Sequence, residues 1–521
     1  MNKKMYTVLI SLIVALGGFL LGFDSAVISG ATPFYRDTFG LNSGSFLIGF
    51  SVSSLILGAI VGNIIAGKLS DRYGRRKILM VTAMLFTISA IFSALANHIG
   101  VFLVARITGG LGVGMAILVA PMYIAEIAPR KLRGTLVTFN QLNIVLGISV
   151  AYFSNYYFQQ TIADADIKWR LMLGVEAVPA LMYFVFLFFV PRSPRWLMQK
   201  GLMEEAKAVL VKIHGLVQSE TEQKEINRSL HEEVNKDKAR WADVFSKKMK
   251  TVLIIGFGIA FFQQITGINA IFYYATMIFE MAGGGKDAAF LQAAILGVTN
   301  VVMTIVAMFL IDRLGRKPLL YIGATGIFIS LALVGFSFHH AKYVINNDSM
   351  TELLSEVSTT QISDLHLENL QNLENISKQT FRNEVAFFSE VKEVVGQQTY
   401  NSFKETILKH SITINSLWVL IGLILFVASF AISMGPVMWA LLSEIFPNKL
   451  RGLAISVMGF WNSIVSFSVA TVFPVQIEYM GSSNTYFIYS IFGLMALLFV
   501  WRFVPETKGK SLEELEQKLI R

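Results

Sequence analysis

Between residues 261 and 274 the chain reads FFQQITGINAIFYY, and Gln263, Gln264, Thr266, Asn269, Tyr273 and Tyr274 carry neutral hydrogen-bonding groups there. The stretch lies inside a long apolar run. An amide placed in hydrocarbon without a partner costs several kcal/mol, so polar groups at membrane depth face a cavity or the interior of a helix bundle. Carboxamides donate and accept without net charge, which suits an uncharged solute covered in hydroxyls. The same amides also suit a second role, holding helix to helix, and residue type and period do not separate the two. Gln264 and Asn269 flank Gly267, which predicts a local break in the helix at that point.

Three ionisable residues, Asp24, Arg106 and Glu176, also sit within apolar runs. A charge at that depth is a functional-site hypothesis by default. Burial disfavours a carboxylate and a nearby guanidinium favours it. If Arg106 moves toward or away from Asp24 during a cycle, the carboxyl loses or gains a proton, which is a basis for proton coupling. A static ion pair joining two helices satisfies the same residues, and in one dimension the two look alike.

The elements that must hold these groups follow from composition. The chain has 521 residues, 54% hydrophobic and only 15% charged, where soluble domains carry about a quarter. That is the balance of an all-α membrane protein of many spans. Twelve apolar segments are long enough to cross roughly 30 Å of hydrocarbon, at 6–30, 46–67, 78–97, 100–124, 135–158, 170–190, 251–280, 289–311, 318–338, 412–441, 453–475 and 485–504. The first is too long for a signal-peptide core and is followed by no small-residue cleavage site. Basic clusters at 72–77, 130–133, 192–212, 247–250, 313–317, 449–451 and 508–510 fall on one side if the spans alternate. The Lys/Arg bias makes that side the cytoplasm, with both termini on it. The net charge of +9 is thus explained by orientation, with no nucleic-acid partner required. No cysteine is present, which excludes disulfides, thiolate metal sites and a Cys nucleophile. No metal or cofactor is expected.

The chain repeats itself. DRYGRR at 71–76 returns as DRLGRK at 312–317, and EIAPRKLRG at 126–134 returns as EIFPNKLRG at 444–452. Two motifs in one order, both at span ends on the basic side, indicate parallel repeats of six helices. The first half covers 1–190, a charged helical linker 191–250, the second half 251–505 and a tail 506–521. The segment between the motifs is longer in the second half because a polar insertion occupies 339–411, on the outer side. Leu365, Leu367, Leu370 and Leu373, then Phe387, Phe388, Val391 and Val394, predict short amphipathic helices in it. In the linker, 204–210 and 222–234 read as amphipathic. The repeated charges suggest latches on the basic face. Asp71 and Asp312 are expected to cap helices or to pair, with Glu126, Arg133, Glu444 and Arg451 as candidate partners of Arg72, Arg75, Arg313 and Arg316. Single exposed pairs are weak, about 1 kcal/mol at most, and the alternative is that these cations only fix topology. The glycine run at 109–114 lacks the strand-turn-helix context of a phosphate loop and reads as a close helix contact. No nucleophile, base and orienter set marks an enzyme.

These motifs resemble the sugar porter family of the major facilitator superfamily, and are most similar to its bacterial xylose and glucose proton symporters. The resemblance rests on GGFLLGFDSAVISG at 17–30, KLSDRYGRRK at 68–77, PMYIAEIAPRKLRG at 121–134, FNQ at 139–141, PRSPRWL at 191–197, QQITGIN at 263–269, DRLGRK, GPVMWALLSEIFPNKLRG at 435–452 and PETKG at 505–509. It implies an alternating-access carrier that imports a monosaccharide with protons across a bacterial inner membrane and functions as a monomer in the lipid bilayer. It implies sugar contacts at Gln141, Gln263, Gln264, Asn269, Asn300, Trp439 and Asn462, with Trp439 stacked on the sugar ring. Tyr273 and Tyr274 match an outer gate, and Asp24, Arg106 and Glu176 match a proton-coupling trio. A uniporter and, less well matched, a sugar sensor are the alternatives. The sequence departs from the family at Arg192, where an acid is usual, at Leu21 and Phe23, and at Ser463, where a tryptophan is usual and Trp461 lies two residues earlier.

Overall fold

The computed structural model describes residues 3–41, 46–129, 132–235, 241–358, 364–377, 379–447, 449–510 and 512–519. It contains eleven helical runs long and apolar enough to cross a membrane among those residues. The last of these, Arg451–Phe503, has 53 residues, about 80 Å at 1.5 Å per residue and far more than a bilayer needs. Gly481 breaks it, with φ +77° and ψ +162°, so the run holds two spans and the total is the expected twelve.

Chain contacts divide the protein into two units. The first comprises 1–28, 53–154 and 169–244; the second comprises 29–52, 155–168 and 245–521. The first unit takes the greater part of α1 (Lys3–Thr38), α2 (Phe46–Tyr73) and α5 (Arg133–Thr161), all of α3 (Arg75–Ala94) and α4 (Ile99–Ile127), and the broken pair α6 (Ala165–Gly174) and α7 (Ala177–Phe186) from Trp169 on. It also takes the linker helices α8 (Pro194–Gln199), α9 (Met203–His214), α10 (Leu216–Asn235) and α11 (Trp241–Val244). Ser193 starts α8 by accepting from Trp196 N at 3.2 Å, with Pro194 in the first turn where no N–H is needed. The amphipathic reading of the linker holds: α9 buries Ala206, Val209, Leu210 and Ile213.

The core of this unit depends on glycines at helix crossings. A Cβ on Gly110 would lie 2.0 Å from the Leu55 carbonyl oxygen, and one on Gly114 would lie 2.1 Å from that of Ala59. The run at 109–114 therefore does what small residues do between membrane helices: it lets α4 touch α2 backbone to backbone.

The second unit carries α12 (Lys250–Ile265), α13 (Ile268–Tyr273), α14 (Ala275–Met281), α15 (Gly285–Leu314), α16 (Arg316–His339), α21 (Ser416–Ile432), α22 (Met434–Ile445), α23 (Arg451–Phe503) and α24 (Leu512–Leu519). The expected break falls at Gly267, which takes the left-handed φ of +92°. The outer ends of α1 and α5 belong to this unit. Thr276 Oγ1 donates to the Ser29 carbonyl at 2.5 Å, and Phe34 packs on Phe290 with centroids 6.3 Å apart.

The insertion folds into a small cap within the second unit. It holds α17 (Asn347–Ser358), α18 (Asp364–Gln371), α19 (Glu384–Val395) and α20 (Gln397–Ser411). Leu370, Leu373, Phe387, Phe388 and Val391 are buried as their spacing predicts, while Leu365 stays 60% exposed. No residue pattern announces the three-stranded antiparallel sheet, ordered β2 (Thr380–Phe381), β1 (Lys342–Val344), β3 (Ile412–Thr413), with Tyr343 opposite both Phe381 and Ile412. Two- and three-residue strands are too short to show alternation. The cap is tied down by Lys404 Nζ to Glu478 at 2.6 Å and by Ser482 N donating to Glu384 at 2.8 Å.

Replacing Gly110 by Ala is expected to cost about 1–3 kcal/mol through overpacking against Leu55, whereas Gly452→Ala, with nothing near its Cβ position, leaves stability unchanged. Thermal unfolding in detergent, monitored by helical circular dichroism, distinguishes the two.

Candidate functional site

The amides of the opening stretch converge. Within the second unit, Gln264 Nε2 donates to Gln263 Oε1 at 3.2 Å and to Asn462 Oδ1 at 3.1 Å. Asn462 Nδ2 returns to Gln263 Oε1 at 2.8 Å and to the Ala260 carbonyl at 2.9 Å. Asn269 Nδ2 bonds Gln264 Oε1 at 2.9 Å and Ser466 Oγ at 2.6 Å, and Gln263 Nε2 bonds the Met434 carbonyl at 3.1 Å. Gln263, Gln264 and Asn462 are buried and Asn269 half-buried. The break at Gly267 is what lets Asn269 turn back onto Gln264. In this state the cluster is satisfied by its own members and neighbours, so these amides also join α12, α13, α22 and α23.

The other expected sugar contacts are placed differently. Asn300 is buried on α15, and Trp439 stands 41% exposed on α22. Trp439 rests beside Gly459, whose missing Cβ would lie 3.6 Å from the ring. Gln141 is exposed on α5 and belongs to the first unit. Ser463 spends its hydroxyl on its own helix, donating to the Gly459 carbonyl at 2.9 Å. Trp461 is drawn instead into an aromatic cluster, stacked on Phe261 and edge-on to Phe257. Sequence inspection missed Ser466. A small hydroxyl one helical turn beyond Asn462 is the signal that points to it.

Tyr273 and Tyr274 are both buried. Tyr274 donates to the Ala470 carbonyl at 2.9 Å and stacks on Phe473 with centroids 5.3 Å apart. Ser29 and Thr276, absent from the expected gate, make the polar contact between α1 and α14 at the same end.

In the first unit Asp24, Arg106 and Glu176 meet. All three are at most 2% exposed. Arg106 Nη1 pairs with Asp24 Oδ1, and Arg106 Nη2 reaches the Asp24 carbonyl at 3.3 Å. Glu176, at the head of α7, feels both charges. Asp24 Oδ2, Arg106 Nε and Glu176 Oε1 are sealed without a hydrogen-bond partner among the described residues. A Cβ on Gly109 would lie 2.4 Å from Ser89 Oγ and 2.9 Å from Asp24 Oδ2, so that glycine makes room for both side chains.

The basic-face charges form the same ion pair twice. Arg75 Nη2 meets Glu126 at 2.9 Å, and Arg316 Nη2 meets Glu444 at 2.8 Å; each arginine and each glutamate is the other's repeat mate. Asp71 does not cap a helix start: it pairs with Arg75 at 3.1 Å, and the cap position before α3 is Gly74. Arg72 lies over the Tyr73 ring, Arg451 Nε donates to the Phe446 carbonyl at 3.3 Å, and the Arg313 carbonyl accepts from Lys508 Nζ at 2.5 Å. The side chains of Arg133 and Asp312 lie outside the described residues.

Glu506, in the PETKG motif, adds a second tie. It accepts from Arg316 N at 3.1 Å, Lys317 N at 3.0 Å, Thr507 N at 2.9 Å and Lys508 N at 2.8 Å. Partial burial pushes its carboxyl up, but the four N–H donors outweigh that and hold it below the ordinary glutamate value.

The model of the sugar (and other) transporter family matches residues 10–359 and 402–519. This chain belongs to that family. It is 36% identical over 520 residues to an arabinose-proton symporter of Bacillus subtilis, covering 99% of this chain and 96% of that protein. It is 34% identical over 548 residues to a D-xylose-proton symporter of Escherichia coli K12, covering 98% and 95%. Among solved structures, the inward open conformation of the E. coli xylose transporter XylE superposes with a TM-score of 0.75 at 33% identity, covering 99% of this chain and all of that one. The protein is thus a multi-pass membrane transporter of the major facilitator fold, and not an enzyme. The family match skips 360–401, the middle of the cap.

Because the folded state holds Glu506 ionised, its contribution is complete above the ordinary glutamate range and fades as pH falls through the lowered value. Glu506→Gln is therefore expected to melt lower than the parent at neutral pH, with the difference closing in acid. A pH series of thermal midpoints in detergent measures it.

Proposed function

We propose that this transporter imports a monosaccharide, a pentose or hexose, together with protons. It works as a monomer in a bacterial inner membrane with both termini in the cytoplasm. The observation that carries the coupling is the buried trio of Asp24, Arg106 and Glu176. One guanidinium balances one carboxylate. A second buried carboxylate leaves the group neutral only when one proton is aboard, because an uncompensated charge at this depth is strongly disfavoured. In the unprotonated state Asp24 is tied to Arg106. A proton arriving from outside releases that tie and frees α1 to move against α4, and the loaded carrier turns inward. The names of the relatives agree with this reading.

The sugar is gripped by the cluster of Gln263, Gln264, Asn269 and Asn462, with Gln141 and Asn300 as further contacts and Trp439 stacked on the ring. The four clustered amides bond to one another. A hydroxyl-bearing ligand replaces amide-to-amide bonds one for one, so binding leaves no buried group unpaired. Tyr273 and Tyr274 close over the outer end. The pairs Arg75–Glu126 and Arg316–Glu444 act as latches on the cytoplasmic face, made in one access state and released in the other, with Arg72, Arg313 and Arg451 as further members.

Two substitutions test this. In proteoliposomes Asp24→Asn is expected to retain sugar exchange while losing uphill accumulation under a proton gradient; full accumulation by this variant contradicts the coupling role. Gln264→Ala is expected to weaken sugar binding by about 1–2 kcal/mol, roughly tenfold, in calorimetry on folded protein. Unchanged affinity removes Gln264 from the site. Absence of sugar-driven proton uptake by the parent would make the protein a uniporter.

A further inference from the structure

The two repeats differ at one anion. At the start of α16, Gly315 (φ +94°) opens the helix, and the Glu506 carboxylate accepts from the next two backbone N–H groups, Arg316 and Lys317. At the start of α3, Gly74 has the same backbone shape (φ +91°) and is followed by Arg75, Arg76 and Lys77. The residue that follows the matching proline is here Arg192, not a glutamate. No carboxylate caps the first turn of α3 among the described residues. Behind Gly74 stands the Trp196 ring, 3.1 Å from its Cβ position.

A cleft of about 190 Å³ remains there, lined by Arg76, Lys77, Arg192, Phe188 and Trp196 among others, far above the ~15 Å³ that one water needs. Arg75, which also lines it, is paired with Asp71 and Glu126; the other cations are weakly neutralised. Arg76 donates to the Leu187 and Phe188 carbonyls at 2.9 Å, and Arg192 reaches Glu205 at 3.3 Å with both side chains more than 40% exposed. Lys77 makes no ion pair among the described residues. The cleft also sits at the edge of the apolar belt. Val81 and Met84, one and two turns beyond Lys77 on α3, are exposed, as are Phe188 and Phe189 at the end of the sixth span.

We propose that this cleft binds the phosphate of an anionic glycerophospholipid, which supplies to α3 the negative charge that Glu506 supplies to α16. The phosphate faces Arg76, Lys77 and Arg192, while the acyl chains run up the exposed side of α3. A soluble phosphate carries the same charge but has no use for the apolar rim, which is why the lipid is favoured.

The test uses the full chain in phosphatidylcholine nanodiscs containing a minor fraction of phosphatidylglycerol, with retained lipid counted by native mass spectrometry after detergent exchange. The parent is expected to retain phosphatidylglycerol in preference to phosphatidylcholine. Lys77→Gln is expected to lower that preference about fivefold, the equivalent of ~1 kcal/mol per cation at an anionic surface. Arg192→Glu, which restores an internal carboxylate, is expected to abolish it, and Lys207→Gln, outside the cleft, to leave it intact. Equal retention by the parent and Lys77→Gln overturns the proposal whether or not Arg192→Glu folds. Calorimetric binding of inorganic phosphate to the detergent-solubilised parent, with no lipid preference, assigns the cleft to a soluble anion and also overturns it.

Discussion

Everything in the first unit is arranged around a guanidinium in hydrocarbon. Arg106 is almost wholly buried, and a guanidinium there needs a carboxylate beside it, which Asp24 supplies. The helix that carries Arg106 packs closely on its neighbours, and glycines permit it. At Gly109 any side chain would strike Ser89 and then Asp24, and at Gly110 and Gly114 any side chain would strike the α2 backbone. A run of glycines that weakens a helix in water here places a charge. Glu176 makes the arrangement unequal to itself, with two acids and one base, and on the proposed reading that imbalance is what allows a proton to matter.

The second unit solves a similar problem with neutral groups. Four amides and a hydroxyl, drawn from α12, α13 and α23, bond to one another where each alone would be costly. Such a cluster has two acceptable states, closed on itself or opened onto hydroxyls. The helix break at Gly267 gives the local freedom that exchange between them requires. On the proposed reading, joining helices and gripping a sugar are successive uses of one set of bonds.

On the basic face the repeat is a repeat of chemistry as well as of sequence. Arg75–Glu126 and Arg316–Glu444 are one ion pair made twice, each at the junction of a helix start and a helix end. The departure at Arg192 does not break the first pair, since Ser193 still bonds Glu126. What it changes is the electrostatics one turn away, where a carboxylate is replaced by a cation and the first turn of α3 is left facing a basic cleft.

The spans, the doubled halves, the break at Gly267 and the charged trio were legible in the residues alone. Each of these is written locally: apolar length against hydrocarbon thickness, a motif met twice, a glycine among amides, an ionisable residue where water is absent. The family motifs extended that reading to a carrier. Only the tertiary structure decided the partners. Asn462 and Ser466 lie nearly two hundred residues from the amides they bond, and no periodicity spans that separation. Asp71 turned out to hold Arg75 rather than to cap a helix, because the helix start belongs to Gly74. The cap's sheet joins strands of two and three residues across tens of positions, too short to announce themselves. Pairing is a property of folded distance, and a one-dimensional pattern carries the groups that must be satisfied without saying which neighbour satisfies them.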